Sequence, residues 1–163
     1  CEKVLTDDGV LSLAVPDKRY CFDHFRETTS LAQVIDAHRA GRTLPSEGSA
    51  ADYFLNVIKK GGVIAWDRGH AGEYEAVHGL PDAQAAISAI RQGTYVDLHV
   101  WCFTPSSFRL LMRDLFALGY TTLQEKTFFE TVGHEFFMTL SKGEGGCSLN
   151  RLVLQEMKEQ ERY

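Results

Sequence analysis

Seven residues in one short stretch carry most of the chemistry this chain can offer: Asp17, Lys18, Arg19, Tyr20, Asp23, His24 and Arg26. An imidazole among carboxylates is suited to moving a proton, so His24 and Asp17 are the candidate catalytic residues, with His24 as general base. Guanidinium groups grip carboxylates and phosphates through two parallel N–H bonds. That makes Arg19 and Arg26, with Tyr20 and Asp23 beside them, candidates for holding a substrate. A second reading stays open: Asp17, Asp23, Arg19 and Arg26 pair with one another and fix a long loop. Farther along, His99 and Trp101 either line the same pocket or pack structurally. His134 and Glu135 have no third ligand at a fixed spacing, so no metal site is expected. His70 and His78 sit among Gly69, Gly72 and Gly79 and read as solvent-exposed. The pairs Phe128-Phe129 and Phe136-Phe137 read as core and sheet-face residues, because a base-stacking platform would bring positive charge with it.

The whole composition narrows the classes. With 163 residues and 44% hydrophobic content, the chain builds one domain, or one domain and a tail. Its 17 basic and 22 acidic residues leave a net charge of −5, which gives no support for nucleic-acid binding. No apolar run approaches the ~18 residues of a membrane span, and no charged segment leads into an apolar leader. Cys1, Cys21, Cys102 and Cys147 are widely spaced, with no C-x-x-C pair. They read as reduced thiols in a cytoplasmic protein, with Cys102 a small core filler.

Several elements must position these groups. Val10 to Val15, apolar and closed by Pro16, reads as a strand covered on both faces, at home inside a parallel sheet. Residues 1–5 read as the last turn of a helix. Helices are expected over 30–41, 49–60 and 82–92, the last capped by Asp82. A short strand is expected over 63–66 and a loop over 67–80. Residues 98–103 read as a strand that leads into a helix over 105–118, with Thr104 as N-cap and Pro105 at its first position. Strands over 124–130 and 134–141 form an antiparallel hairpin. A Gly-rich linker over 142–147 then precedes a final helix capped by Ser148.

This order, and several local stretches, resemble the second half of a class I S-adenosylmethionine-dependent methyltransferase. Leu5-Thr6-Asp7-Asp8-Gly9-Val10-Leu11 resembles the L-x-P-G-G-x-L turn entering that fold's fifth strand, with Asp7-Asp8 where Pro-Gly is commoner. Pro16-Asp17-Lys18-Arg19-Tyr20-Cys21-Phe22-Asp23-His24-Phe25-Arg26 resembles the segment after the fifth strand in a bacterial branch of these enzymes. His99-Val100-Trp101-Cys102-Phe103-Thr104-Pro105 is similar to its sixth strand and following helix, and Gly133-His134-Glu135-Phe136-Phe137 to the start of its seventh. The resemblance implies an α/β fold: a partial Rossmann-like sheet of strands five to seven, three or four strands in all and mixed. The expected neighbour order is first strand, last strand, third-quarter strand, with 134–141 antiparallel between the other two. Helices 30–41 and 105–118 would pack on its faces. Residues 1–142 would form the methyltransferase-like portion, with a helical insertion over 30–93, and 143–163 a linker and helix.

The family's cofactor loop, an E-x-G-x-G-x-G turn after the first strand, and the acidic residue ending the second strand have no match here. Gly61-Gly62 ends a helix, and Gly143-Glu144-Gly145-Gly146 follows a hairpin. The resemblance therefore implies the acceptor-side portion of such an enzyme, inactive alone, with its acceptor pocket built partly from Pro16 to Arg26 and the loops around Trp66 to His78. S-adenosylmethionine would serve the intact family, bound only weakly or not at all by this chain, and the acceptor would be a small molecule. A non-enzymatic dimerisation or binding module is the alternative, and an unrelated α+β domain sharing the element order is a third. In the intact fold the first strand would pair with the fourth on one side and the seventh on the other. Without the fourth, its edge invites a homodimer, or coverage by the C-terminal helix.

Overall fold

The computed structural model describes residues 2–143 and 145–162. The Cys1 end of the expected first turn, Glu144 in the linker and Tyr163 lie outside the described residues. Two short 3-10 turns, Glu2–Val4 and Lys18–Tyr20, flank strand β1 (Val10–Pro16). Helices α1 (Leu31–Arg39) and α2 (Glu47–Asn56) follow, then strands β2 (Ile58–Lys60) and β3 (Tyr74–Ala76) and helix α3 (Leu80–Arg91). The chain closes with α4 (Pro105–Ala117), the hairpin β4 (Gln124–Val132) and β5 (Glu135–Ser141), and α5 (Arg151–Gln160). Among the described residues no helix is long and apolar enough to cross a membrane.

The chain divides into two compact units. One runs to Arg19 and resumes at Phe103; the other is Tyr20–Cys102. The first holds a three-stranded sheet in the order β1-β5-β4. Strand β5 lies antiparallel between its neighbours, in register with β1 from Val10 opposite Ser141 to Pro16 opposite Glu135. The last strand thus neighbours the first, as expected. The third place belongs to β4, not to 98–103, and the sheet is antiparallel throughout its described ladders instead of mixed. Leu11, Leu13 and Val15 pack with Phe108, Phe136, Met138 and Leu140 to form the core of this unit. Alternate β1 residues face outward, with Val10 44% exposed. Burial on both faces is therefore corrected: Ser12 and Ala14 mark the period of two that a one-faced strand requires.

Residues 98–103 form no strand, because their backbone partners lie elsewhere. The Cys102 N–H donates to the Thr29 hydroxyl at 2.9 Å, and the Thr29 N–H to the Cys102 carbonyl at 2.9 Å. Phe103 alone forms a parallel bridge, to Asp17. Helix α4 begins at Pro105 after Thr104, as expected, with the Ser107 hydroxyl accepting the Thr104 N–H. The C-terminal helix is capped by Asn150, not Ser148. It packs along α4 rather than on the edge of β1: Arg151 pairs with Asp114, Leu154 is fully buried, and the Glu161 carboxylate accepts the Ser106 N–H and hydroxyl at 3.0 and 2.7 Å.

In the second unit α2 packs on α3 around Ala50, Ala86 and Leu98. Helix α1 belongs to this unit and buries none of its residues fully. Helix α2 stops at Asn56, short of the expected Lys60, because Ile58–Lys60 pairs antiparallel with Tyr74–Ala76. That ribbon replaces the end of a helix and part of an expected loop, while 63–66 forms only isolated bridges. Helix α3 starts at Leu80 with Gly79 as N-cap. Asp82 sits one turn in, where its carboxylate accepts the Gly79 N–H at 2.8 Å.

Candidate functional site

The residues picked out by their chemistry fall into two clusters, one in each unit. In the first, the backbone of Asp17 is tied to the hairpin, its N–H donating to the His134 carbonyl at 2.9 Å. Its carboxylate is fully buried and saturated. Arg19 donates from its backbone N–H (3.1 Å), Nε (2.9 Å) and Nη2 (2.6 Å), and the Thr131 hydroxyl adds a fourth bond at 2.6 Å. Every donor comes from its own turn or from β4. Asp17 and His24, the two catalytic candidates, belong to different units.

The second cluster grows from the turn that follows. The His24 N–H reaches the Cys21 carbonyl, and the Arg26 N–H the Asp23 carbonyl. This winding buries Asp23 and Arg26 and leaves Phe25 exposed. Arg26 Nη1 donates to Asp23 at 2.8 Å and its Nε to Asp52 at 2.8 Å, while its guanidinium lies 5.5 Å from the Tyr53 ring centre. Asn56 in turn donates to Asp52 at 2.9 Å. The other Asp23 oxygen meets His99 Nδ1 at 2.9 Å. Four acidic, basic and imidazole groups from a turn, α2 and a distant loop thus join in one chain. Burial works against the Arg26 charge, but its bonds to Asp23 and Asp52 outweigh it and raise its pKa. Burial, helped by the charge of Asp23, pushes the Cys102 thiol far up, so it stays a neutral core group and not a nucleophile.

Beside this chain lies an aromatic group. The His24 ring stacks on Tyr74 with centres 5.3 Å apart, and its Nε2 lies 3.3 Å from the Tyr74 hydroxyl. Phe25 and Trp66 complete the group, with Lys60 Nζ 5.4 Å from the Tyr74 ring centre. The Tyr20 hydroxyl accepts from Arg68 Nε at 3.1 Å. Trp101 is 40% exposed and takes no part in the Asp23 network. Trp66 and Tyr74 lie in the 66–78 stretch that the resemblance assigns to the acceptor pocket, whereas nothing in the sequence singles out Asp52, Tyr53 and Lys60 as site residues. Only the i, i+4 spacing of Asp52 and Asn56 on α2 could have hinted at one of them.

In the first unit a cleft of about 300 Å³ beside α4 is lined by Arg109, Met112, Arg113, Phe116, Gln124 and Cys147. Its cations are already engaged. Arg109 grips Glu125 through two bonds, and Arg113 donates to the Leu149 carbonyl at 2.9 Å. Among the described residues no cluster of three His, Cys, Asp or Glu could hold a metal ion.

Three of the glycines are closed by neighbouring backbone. A Cβ added to Gly61 would lie 2.8 Å from the Ala71 carbonyl oxygen, and one added to Gly72 would lie 2.5 Å from the Gly61 Cα. Those glycines press one backbone onto another at the end of the β2–β3 ribbon. Gly145 is similarly closed against the Glu125 carbonyl, which accepts the Gly146 N–H at 2.7 Å. Gly61, Gly72 and Gly145 thus serve internal packing. No family model, curated protein or solved structure matches this chain.

Proposed function

We propose that this chain is the acceptor-side portion of an S-adenosylmethionine-dependent methyltransferase. The observation that carries the reading is β5, antiparallel between β1 and β4 and in register with β1 along its full length. A fifth strand paired with a seventh in that fold would have this arrangement, and the resemblances of 5–11, 16–26 and 133–137 fall on these strands and on the segment after β1. Because the family's E-x-G-x-G-x-G turn has no match in this sequence, cofactor binding is assigned to the other half of the enzyme. The work left to this portion is to hold a small acceptor in place and take up a proton from it.

Two measurements test this. Calorimetric titration of S-adenosylmethionine into the 163-residue chain is expected to give no saturable heat. Saturable binding would place a cofactor site inside the chain and overturn the acceptor-side assignment. The gene segment preceding the Cys1 codon is expected to encode a strand followed by a Gly-rich turn; a segment without one would sink the family reading.

A second reading, a binding module that associates through β1, is favoured by one observation: among the described residues β1 forms a ladder on one side only, with β5. Sedimentation velocity separates the two. A stable homodimer lost when Pro replaces Ser12 or Ala14 supports the module; a monomer excludes it.

A further inference from the structure

We propose that His99 is the proton acceptor of the second unit and that Asp23 is the positioning residue that sets its tautomer. The role assigned to the proton rests on the methyltransferase reading; the geometry does not. A carboxylate paired with a guanidinium can only accept hydrogen bonds, so the shared proton at 2.9 Å sits on His99 Nδ1. That leaves the lone pair on Nε2, which has no hydrogen-bond partner among the described residues. The imidazole is 45% exposed, whereas the carboxylate behind it is 3% exposed. The ring is also fixed sideways, its centre 4.7 Å from that of Phe22. A base must present a lone pair outward and be held by a group that cannot turn away. Asp23 cannot turn, because Arg26 holds its other oxygen and Asp52 holds Arg26.

His24 offers less. Its Nε2 faces the Tyr74 hydroxyl, and its ring is stacked on the same residue. The acceptor suited to His99 carries a hydroxyl or a protonated amine. In the step, the O–H or N–H bond breaks, an N–H bond forms at Nε2, and the bonding pair stays on the acceptor atom as the nucleophile. The imidazolium that results keeps its Nδ1–H bond to Asp23.

The test exploits Arg26. In Asp23→Asn, the amide oxygen stays with the Arg26 donor, so the amide NH2 faces His99 Nδ1. The ring must then carry its proton on Nε2. Long-range proton–nitrogen correlation on imidazole-labelled chain should show His99 with Nδ1–H in the wild type and Nε2–H in the variant. Diethyl pyrocarbonate, which acylates a free imidazole nitrogen, should modify His99 at Nε2 and do so about tenfold or more slowly in Asp23→Asn. A wild-type ring carrying Nε2–H overturns the proposal, and that measurement requires no variant to fold. So does a folded Asp23→Asn with unchanged tautomer and acylation rate. None of these readouts uses S-adenosylmethionine. If they succeed while the cofactor and gene tests fail, the base stands and the methyl-transfer reading falls; the reverse pattern removes the base alone.

Discussion

Two buried aspartates, each paired with an arginine close by in sequence, do different work. Asp17 and Arg19 close on themselves: the donors come from the same turn and from Thr131 of β4, and the carboxylate has no remaining task. Asp23 and Arg26 stay open at both ends, toward Asp52 on α2 and toward an imidazole 76 residues away. The charges are alike, yet one pair is a latch and the other transmits orientation to the surface. What separates them is where the last hydrogen bond goes.

Substitutions should expose this difference. The largest effect is expected from Asp17→Ala, which strands the largely buried Arg19 guanidinium and frees Thr131; it should cost about 3–5 kcal/mol in urea unfolding. A loss near zero would show that the latch is ornamental. Asp23→Asn should cost less, about 1–3 kcal/mol, because Arg26 keeps Asp52 and the amide still accepts one bond. If it equals Asp17→Ala, the open pair is structural after all. His99→Gln removes only a half-exposed end and should cost no more than about 1 kcal/mol in the same assay.

The smallest effect concerns a half-buried carboxylate with similar donors. The hydroxyl of Thr121 and the N–H of Thr122 hold the Glu2 carboxyl below its usual 4.5. A folded-state pKa below the unfolded one adds stability above the unfolded pKa, and that increment is lost as pH falls through the folded value. Stability followed from neutral to acid pH should therefore decline slightly less in Glu2→Gln than in the wild type.

The latch was within reach of the sequence, because Asp17 and Arg19 lie two residues apart and Asp23 and Arg26 three. The link from Asp23 to His99 was not, since only the folded loop over 94–102 brings them together. The hairpin and the start of α4 were marked by Gly133 and by Thr104-Pro105, residues whose backbone preferences act locally. The β2–β3 ribbon left no such mark. Val57 and Ile58 continue the apolar stripe of α2, and the pairing depends on two glycines eleven positions apart, Gly61 and Gly72. Residues 98–103 misled for the opposite reason: their composition suits a strand, but Thr29 claims the backbone of Cys102.

One earlier detail reaches further than its size. Where the chain leaves the first unit and where it returns, the Lys18 N–H donates to the Phe103 carbonyl at 2.9 Å, beside the bridge from Asp17 to Phe103. The exit and re-entry points are already stitched together. A short Gly-Ser joint from Arg19 to Phe103 is therefore expected to let the sheet of the first unit close without residues 20–102.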